Sequence, residues 1–135
     1  MMHWLFIISV CFLFFGAAKV KSRDFSGSGN GNNYKCFIVA TKNNSKITFT
    51  GMFNNNKYEQ INIFYKLEII KKGISGNSNN TQSGELLVKR FTEIVLSKVS
   101  FNLIENDTYT YTIKLQVFNG NRIISSDSLD FNNSN

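Results

Sequence analysis

Residues 109–117 show the clearest pattern in the chain, a strict alternation of apolar and polar side chains. Side chains two residues apart point to the same face of a strand, so this alternation predicts a strand with one buried and one hydrated face. The Asn-Gly-Asn segment at 119–121 accepts positive φ angles, which predicts a hairpin turn. The apolar positions are Tyr109, Tyr111, Ile113, Leu115 and Val117, separated by Thr110, Thr112, Lys114 and Gln116.

Shorter apolar alternations, interrupted by Asn-rich turns, predict the other strands. The polar segment 73–84 is predicted to hold a turn and one short strand. Residues 86–88 are either a further strand or the end of that one. The remaining strands are predicted over 34–41, 46–53, 60–71, 93–103 and 122–131.

The strand over 93–103 contains a change of parity, because its apolar positions shift register between Leu96 and Val99. This change predicts a β-bulge near Ser97 and Lys98. No segment of the chain carries a helical period. The sequence therefore predicts an all-β protein, an immunoglobulin-like antiparallel β-sandwich of about seven strands.

The N-terminus carries a different kind of segment. Residues 4–18 are apolar except for Ser9 and end in small residues before Lys19. A membrane-spanning helix needs about 20 apolar residues, so this shorter run predicts a signal peptide cut after Ala18, with an uncleaved anchor as the alternative. We therefore expect an exported protein with a signal peptide over 1–18, a flexible Gly/Ser/Asn-rich linker over 19–33, the sandwich over 34–131 and a disordered tail over 132–135.

The formal net charge of +6 favours acidic partners. Nucleic-acid binding would require clustered basic residues with stacking aromatics, so nucleic acid is not expected as a partner. After signal removal no membrane is expected as a partner either. We also expect a monomer. By parity, Lys66 and Lys114 lie on hydrated faces. Together with Lys98 they are predicted to form a basic stripe that binds an acidic partner protein. The alternative is that these lysines keep the sheets soluble and guard them against edge pairing.

The sequence contains few residues suited to catalysis or metal binding. Without residues 1–18 the chain has no His and retains Cys36 alone, so it cannot form a Ser–His pair, a Cys–His pair or a zinc site. We expect no cofactor, no metal and no enzymatic activity. Cys36 lies in an apolar strand, which predicts a buried inert thiol, with an intermolecular disulfide as the alternative. Two carboxylate pairs are predicted to be hydrated surface charges: Glu59 with Glu68, and Asp127 with Asp130.

Residues 105–109 read Glu-Asn-Asp-Thr-Tyr at the start of a predicted strand. An acid, a spacer and a tyrosine in this position are typical of the tyrosine corner of sandwich folds. We therefore expect Tyr109 to have a structural role at this corner.

Two segments carry a more specific signal. The first reads KGISGNS over 72–78, followed by TQSG over 81–84. The second reads LSKVSFNL over 96–103 and is followed by Asp107. In this order they resemble the G-x-S-G-x-S turn and the L-[ST]-x-[LV]-S-[LF]-N-[IL] segment of the curli assembly chaperones, the CsgC and CsgH family. The similarity extends from about residue 47 to residue 124.

The resemblance implies an immunoglobulin-like periplasmic protein that keeps a curli fibre subunit from polymerising before secretion. One branch of the family carries a C-x-C pair, and the corresponding positions here are Ile61 and Ile63, so any redox role of that pair is absent. The chain is therefore more similar to the CsgH branch. Lys98 falls where the C-x-C branch also has a lysine.

The hypothesis from sequence is thus a periplasmic chaperone that inhibits premature amyloid assembly of an unfolded, acidic, curlin-type subunit. The alternative is an exported sandwich that binds a surface glycan or an adhesin. That alternative requires exposed aromatic side chains, and Phe64, on the hydrated parity of its strand, is the candidate.

Overall fold

Strands account for nearly all of the fold in a computed structural model, which describes residues 18–21, 33–74, 76–104 and 108–133. Seven long strands and one short strand form within these residues, so the predicted all-β sandwich is confirmed. In chain order they are β1 (Ala18–Lys21), β2 (Tyr34–Asn43), β3 (Lys46–Asn55), β4 (Ile61–Gly73), β5 (Gly76–Val88), β6 (Thr92–Asn102), β7 (Tyr109–Asn119) and β8 (Arg122–Asn133).

The strands form two antiparallel sheets that pack face to face. The first sheet has the order β1-β2-β3-β6, and the second has the order β5-β4-β7-β8. Alternate residues of each long strand point into the space between the sheets, as strand geometry requires. Strands β4, β7 and β8 are consecutive in the second sheet, so Lys66 on β4 and Lys114 on β7 belong to neighbouring strands.

Strand β5 is the largest departure from the prediction. The sequence predicted a turn and one short strand in this region, yet β5 pairs with β4 without a break from Gly76 to Val88. Gly73 and Gly76 are opposite each other at the end of this hairpin. Residues 76–84 of β5 are uncharged and either polar or glycine. They lack the apolar alternation on which the prediction relied, so the sequence pattern did not reveal the full length of this strand.

The bulge predicted near Ser97 and Lys98 is confirmed, one residue earlier in β6 than predicted. Gly51 is opposite Ser97, whereas its neighbour Met52 is opposite Val95, so Leu96 is the extra residue. Leu96 and Ser97 are consecutive and both buried. The bulge thus accounts for the change of parity, because two successive side chains turn inward there.

An aromatic cluster fills one end of the core and joins both sheets. The Phe49 ring lies 5.4 Å from Tyr111, 6.2 Å from Phe101 and 6.1 Å from Phe131, measured between ring centroids. Side chains from β3, β6, β7 and β8 therefore meet at Phe49. Such packing of aromatic side chains dominates the energetics of a core.

Tyr109 closes this end of the core. A Cβ at Gly73 would lie 2.3 Å from Cδ1 of Tyr109, so only glycine leaves room for the ring. Lys71 covers the same ring, with Nζ 3.9 Å from the centroid, a cation–π contact. Residues 105–107 of the predicted tyrosine corner lie outside the described residues.

Strands near both ends of the chain extend beyond the predicted sandwich boundaries, 34–131. Strand β1 pairs antiparallel with residues 39–42 of β2 and includes residues 19–21 of the predicted linker. Strand β8 continues to Asn133, two residues into the predicted tail. Residues 1–17 of the predicted signal peptide and 22–32 of the linker lie outside the described residues. Among the residues described, none belongs to a helix long and apolar enough to cross a membrane.

Candidate binding surfaces

The predicted basic stripe is divided between the two sheets. Lys66 on β4 and Lys114 on β7 are exposed on the outer face of the second sheet, on neighbouring strands. Lys98 is exposed on β6 of the first sheet, opposite Thr50. Because the sheets pack through their inner faces, Lys98 lies on the other side of the sandwich. A single stripe of all three lysines does not form.

Lys66 and Lys114 have polar neighbours rather than a row of cations. Gln116 is opposite Lys66, and Glu68 is opposite Lys114 across the β4–β7 ladder. Opposite charges in this position attract each other and stabilise the sheet by about 0.2–1 kcal/mol. The centre of this face is thus hydrated and carries a modest positive excess.

Exposed aromatic side chains are more numerous than the sequence indicated. Phe64 is 38% exposed, as predicted, and packs on Phe118 with a centroid separation of 5.9 Å. Tyr58 is 80% exposed and Phe91 is 55% exposed, with their rings edge to face 4.9 Å apart. Both lie in loops without periodicity, so the pattern of the sequence contained no signal for them.

A buried asparagine holds these two loops together. Nδ2 of Asn55 donates to the carbonyl oxygens of Glu59 at 2.9 Å and Lys89 at 3.2 Å, while Oδ1 accepts the amide of Lys57 at 2.9 Å. The loop between β3 and β4 is thereby fixed to the turn between β5 and β6. Phe91 adopts φ of 50°, an unusual backbone conformation for a bulky residue. The aromatic pair is therefore positioned by the fold.

Cys36 is buried at the seam between β2 and β8, as predicted. Its backbone amide donates to Oγ of Ser125 at 2.9 Å. Burial raises the pKa of the Cys36 thiol from 9.0 to about 12, an effect to which the carboxylate of Asp127 adds. Because the thiolate is the reactive species, this cysteine is inert in the folded protein.

The inertness of Cys36 can be measured by thiol labelling in a Cys11→Ser background. At about pH 8 the native protein should react with a disulfide reagent far more slowly than the urea-unfolded protein. The unfolded thiol loses its proton first, so the free energy of unfolding should fall between about pH 9 and 12, and a Cys36→Ala variant should lack this component. Equal labelling rates in the two states would contradict the assignment.

The prediction for Asp127 is wrong, since its side chain is only 4% exposed. Oδ2 accepts the backbone amide of Ile38 at 2.8 Å, and Oδ1 accepts the amide of Ser128 at 2.9 Å. Asp130 is exposed, so the two aspartates do not form a pair. The inward position of Asp127 depends on β2 packing beside β8, which the local pattern of β8 does not contain.

Metal-binding chemistry was not expected from the sequence. Over the ranges that the structure describes, no group of three or more His, Cys, Asp and Glu side chains is arranged to hold a metal ion.

Comparison with known proteins identifies solved structures that share this architecture. No family model and no curated protein matches the chain. The solution structure of R. palustris CsgH superposes with a TM-score of 0.55 and 22% sequence identity, over 72% of this chain and 91% of CsgH. The chain has the fold of CsgH. The E. coli curli protein CsgC superposes with a TM-score of 0.54 and 18% identity, over 76% of this chain and 99% of CsgC.

The resemblance predicted from the sequence is thus confirmed at the level of the CsgC- and CsgH-like fold. The described residues of the KGISGNS segment lie at the end of β4 and the start of β5, and residues 96–102 of the LSKVSFNL segment lie on β6 and include its bulge. Ile61 and Ile63, which the sequence resemblance aligns with the C-x-C pair, are buried on β4. The identity to CsgH is the higher of the two, 22% against 18%.

Proposed function

We propose that this protein is an exported, non-enzymatic chaperone that delays the amyloid assembly of a curli-type fibre subunit in the periplasm. One coincidence carries the proposal. The two segments that resemble the curli assembly chaperones lie on the hairpin and strand of a sandwich whose solved neighbours include CsgH and a protein named for curli. The N-terminal apolar run, which predicts export, is consistent with it.

The physical basis is a weak, fast contact with an unfolded chain. Amyloid nuclei form when strands from several chains stack, so a partner that occupies a chain even briefly slows nucleation. The exposed Lys66 and Lys114 on the second sheet attract an acidic client. Electrostatic attraction of this kind raises the rate of encounter more than the affinity.

The test is fibre formation by a purified curlin-type subunit, followed by thioflavin fluorescence with and without the protein. A substoichiometric amount should lengthen the lag before fibres appear. An equal amount of an unrelated basic β-sandwich protein is the control. No change in the lag relative to this control would refute the chaperone proposal.

Two double charge reversals, one on each sheet, test which face attracts the client. Lys66→Glu/Lys114→Glu should shorten the lag at low salt relative to the parent, whereas Lys46→Glu/Lys98→Glu, on the first sheet, should have little effect. Both variants change the net charge equally. The difference should shrink as salt rises, because charges are screened beyond about 8 Å at physiological ionic strength. All four lysines are exposed, so folding should be retained.

Equal behaviour of the two double variants at low salt would show that only net charge matters. The fold should be verified for each variant by its unfolding transition, since surface substitutions usually change stability by about 0.5 kcal/mol or less.

The alternative of glycan binding gains support from one observation, the exposed Tyr58 and Phe91 pair beside Lys89 and Arg90. Aromatic rings exposed side by side form an apolar patch of the kind that marks interaction sites. Retardation of the protein in a gel containing an acidic polysaccharide, without any delay of fibre formation, would favour this function over the chaperone.

A further inference from the structure

The edges of the two sheets differ sharply in how they are protected. A strand at an edge exposes unpaired backbone amides and carbonyls, which can template the addition of another strand. Proteins block such edges with bulges, charged side chains, inward-pointing charges or covering segments. The edges in the described part of the chain are β1 with the open part of β2, β6, β5 and β8.

Strand β8 carries two of these protections. Its pairing with β7 shifts register between Val117 and Phe118, so the ladder contains a bulge near Ile124. Asp127 points inward and is buried. Beyond the stretch paired with β1, the amides of Cys36 and Ile38 on β2 are bonded to Ser125 and Asp127, so β8 also covers the open part of β2.

Strand β6 is protected in a similar way. The extra residue Leu96 breaks its ladder. Glu93 and Lys98 place exposed charges on either side of this bulge. A bulge together with flanking charges disfavours the addition of another chain at this edge.

Within the part of the chain that the structure describes, strand β5 has none of these protections over 76–84. Its ladder with β4 runs from Gly76 to Val88 without a register shift. The nine residues GNSNNTQSG contain no charge and no proline. Among the described residues β5 pairs only with β4, and within 76–84 a hydrogen bond from Ser97 to Gln82 joins it to the other sheet.

The chemistry of β5 also indicates what it can bind. Asn79, Thr81 and Ser83 are exposed on one face, and on the other face Asn80 and Gln82 are half-buried. An added strand would therefore contact amide and hydroxyl side chains on both faces. Asn and Gln form ladders with their own kind along stacked strands, and Thr and Ser pair across strands. An apolar strand would instead leave its side chains against a hydrated edge.

We propose that residues 76–84 of β5 bind an extended, uncharged segment rich in Asn, Gln, Ser and Thr, which adds to the second sheet as a further strand. This inference rests on the proposed chaperone function and names the part of the client that is held. Backbone hydrogen bonds supply the affinity of such strand addition, and the side chains supply its selectivity. A client segment held in this way is unavailable to a growing nucleus.

Two variants with the same charge change test the edge. Asn79→Lys/Thr81→Lys places lysines on β5, where edge lysines oppose strand addition. Ser128→Lys/Asn132→Lys places them on β8, the opposite edge of the same sheet, where both residues are also exposed. The β5 variant should weaken client binding by about tenfold and shorten the lag, while the β8 variant should match the parent or exceed it. If attraction by positive charge were sufficient, both variants would bind the acidic client at least as well as the parent.

A direct probe follows the β5 amides. A soluble peptide of about ten residues made of Asn, Gln, Ser and Thr is added to the full-length protein, and backbone hydrogen exchange is measured residue by residue. Exchange in 76–84 should slow, with little change in β8. The same peptide with alternate backbone amides methylated keeps its side chains but cannot complete the ladder, so it should give no protection.

The outcomes separate this inference from the function on which it rests. Slower exchange in β5 with the unmethylated peptide alone supports it. If the parent protein delays fibres but the β5 amides stay unprotected, or the β5 variant is fully active, binding at the β5 edge is refuted. The chaperone function is then retained. Protection of β5 that grows with protein concentration in the absence of peptide would assign the edge to a second copy of this chain and overturn the proposal. Protection of β5 by the peptide without any delay of fibres would refute the chaperone function alone.

Discussion

Replacement of Phe49 by alanine is expected to lower the free energy of unfolding by about 3–5 kcal/mol. Phe49 is fully buried and contacts aromatic rings from three other strands. The substitution removes the ring at the point where both sheets meet, and the partners cannot close the cavity without moving two sheets. A domain of this size has a total stability of about 5–15 kcal/mol, so the loss is a large share.

Urea denaturation followed by far-ultraviolet circular dichroism measures this effect. Phe49→Leu is the control, because it keeps an apolar side chain in the same place and should cost less than the alanine variant. A loss below about 1 kcal/mol for Phe49→Ala would show that the cluster repacks, contrary to the close-packed core described above.

Replacement of Asp127 by alanine should cost about 1–3 kcal/mol for each buried group left without a partner. The amide of Ile38 loses its acceptor, and it lies on a stretch of β2 that β1 does not cover. We therefore expect two effects, lower stability and a new tendency to self-associate through the β2 edge. Unpaired edges of this kind template the pairing of further chains.

Asp127→Asn is the control for this experiment, because the amide keeps one acceptor oxygen in place of two. It should fall between the parent and the alanine variant in stability. Size-exclusion chromatography with light scattering measures the association. If the Asp127→Ala protein remains monomeric at high concentration and its stability is unchanged, Asp127 does not protect the β2 edge.

The sandwich was predictable from the sequence because apolar alternation is a local property. Strands β4 and β7 bury alternate residues along most of their length, so their patterns contain their structure. The bulge in β6 was predictable for the same reason, since two inward side chains in succession break the alternation. Strand β5 was not, because its pairing with β4 comes from the hairpin and not from its own apolar residues.

The candidate surfaces were less accessible to prediction because they depend on which strands lie side by side. Parity correctly indicated that Lys66 and Lys114 are hydrated, but only the strand order reveals that Lys98 belongs to the other sheet. The inward position of Asp127 likewise requires β2 beside β8. The loop aromatics Tyr58 and Phe91 are brought together by Asn55, through contacts between loops that are more than 30 residues apart in the chain.

The seam between β2 and β8 has a consequence for the order of folding. Two amides of the first long strand are satisfied by side chains 89 residues further along the chain. Contacts between residues so far apart close late and slow the folding of β-rich domains. The domain therefore cannot complete its hydrogen bonds until its last strand has docked, and a chain that has not yet reached β8 presents the amides of Cys36 and Ile38 to its surroundings.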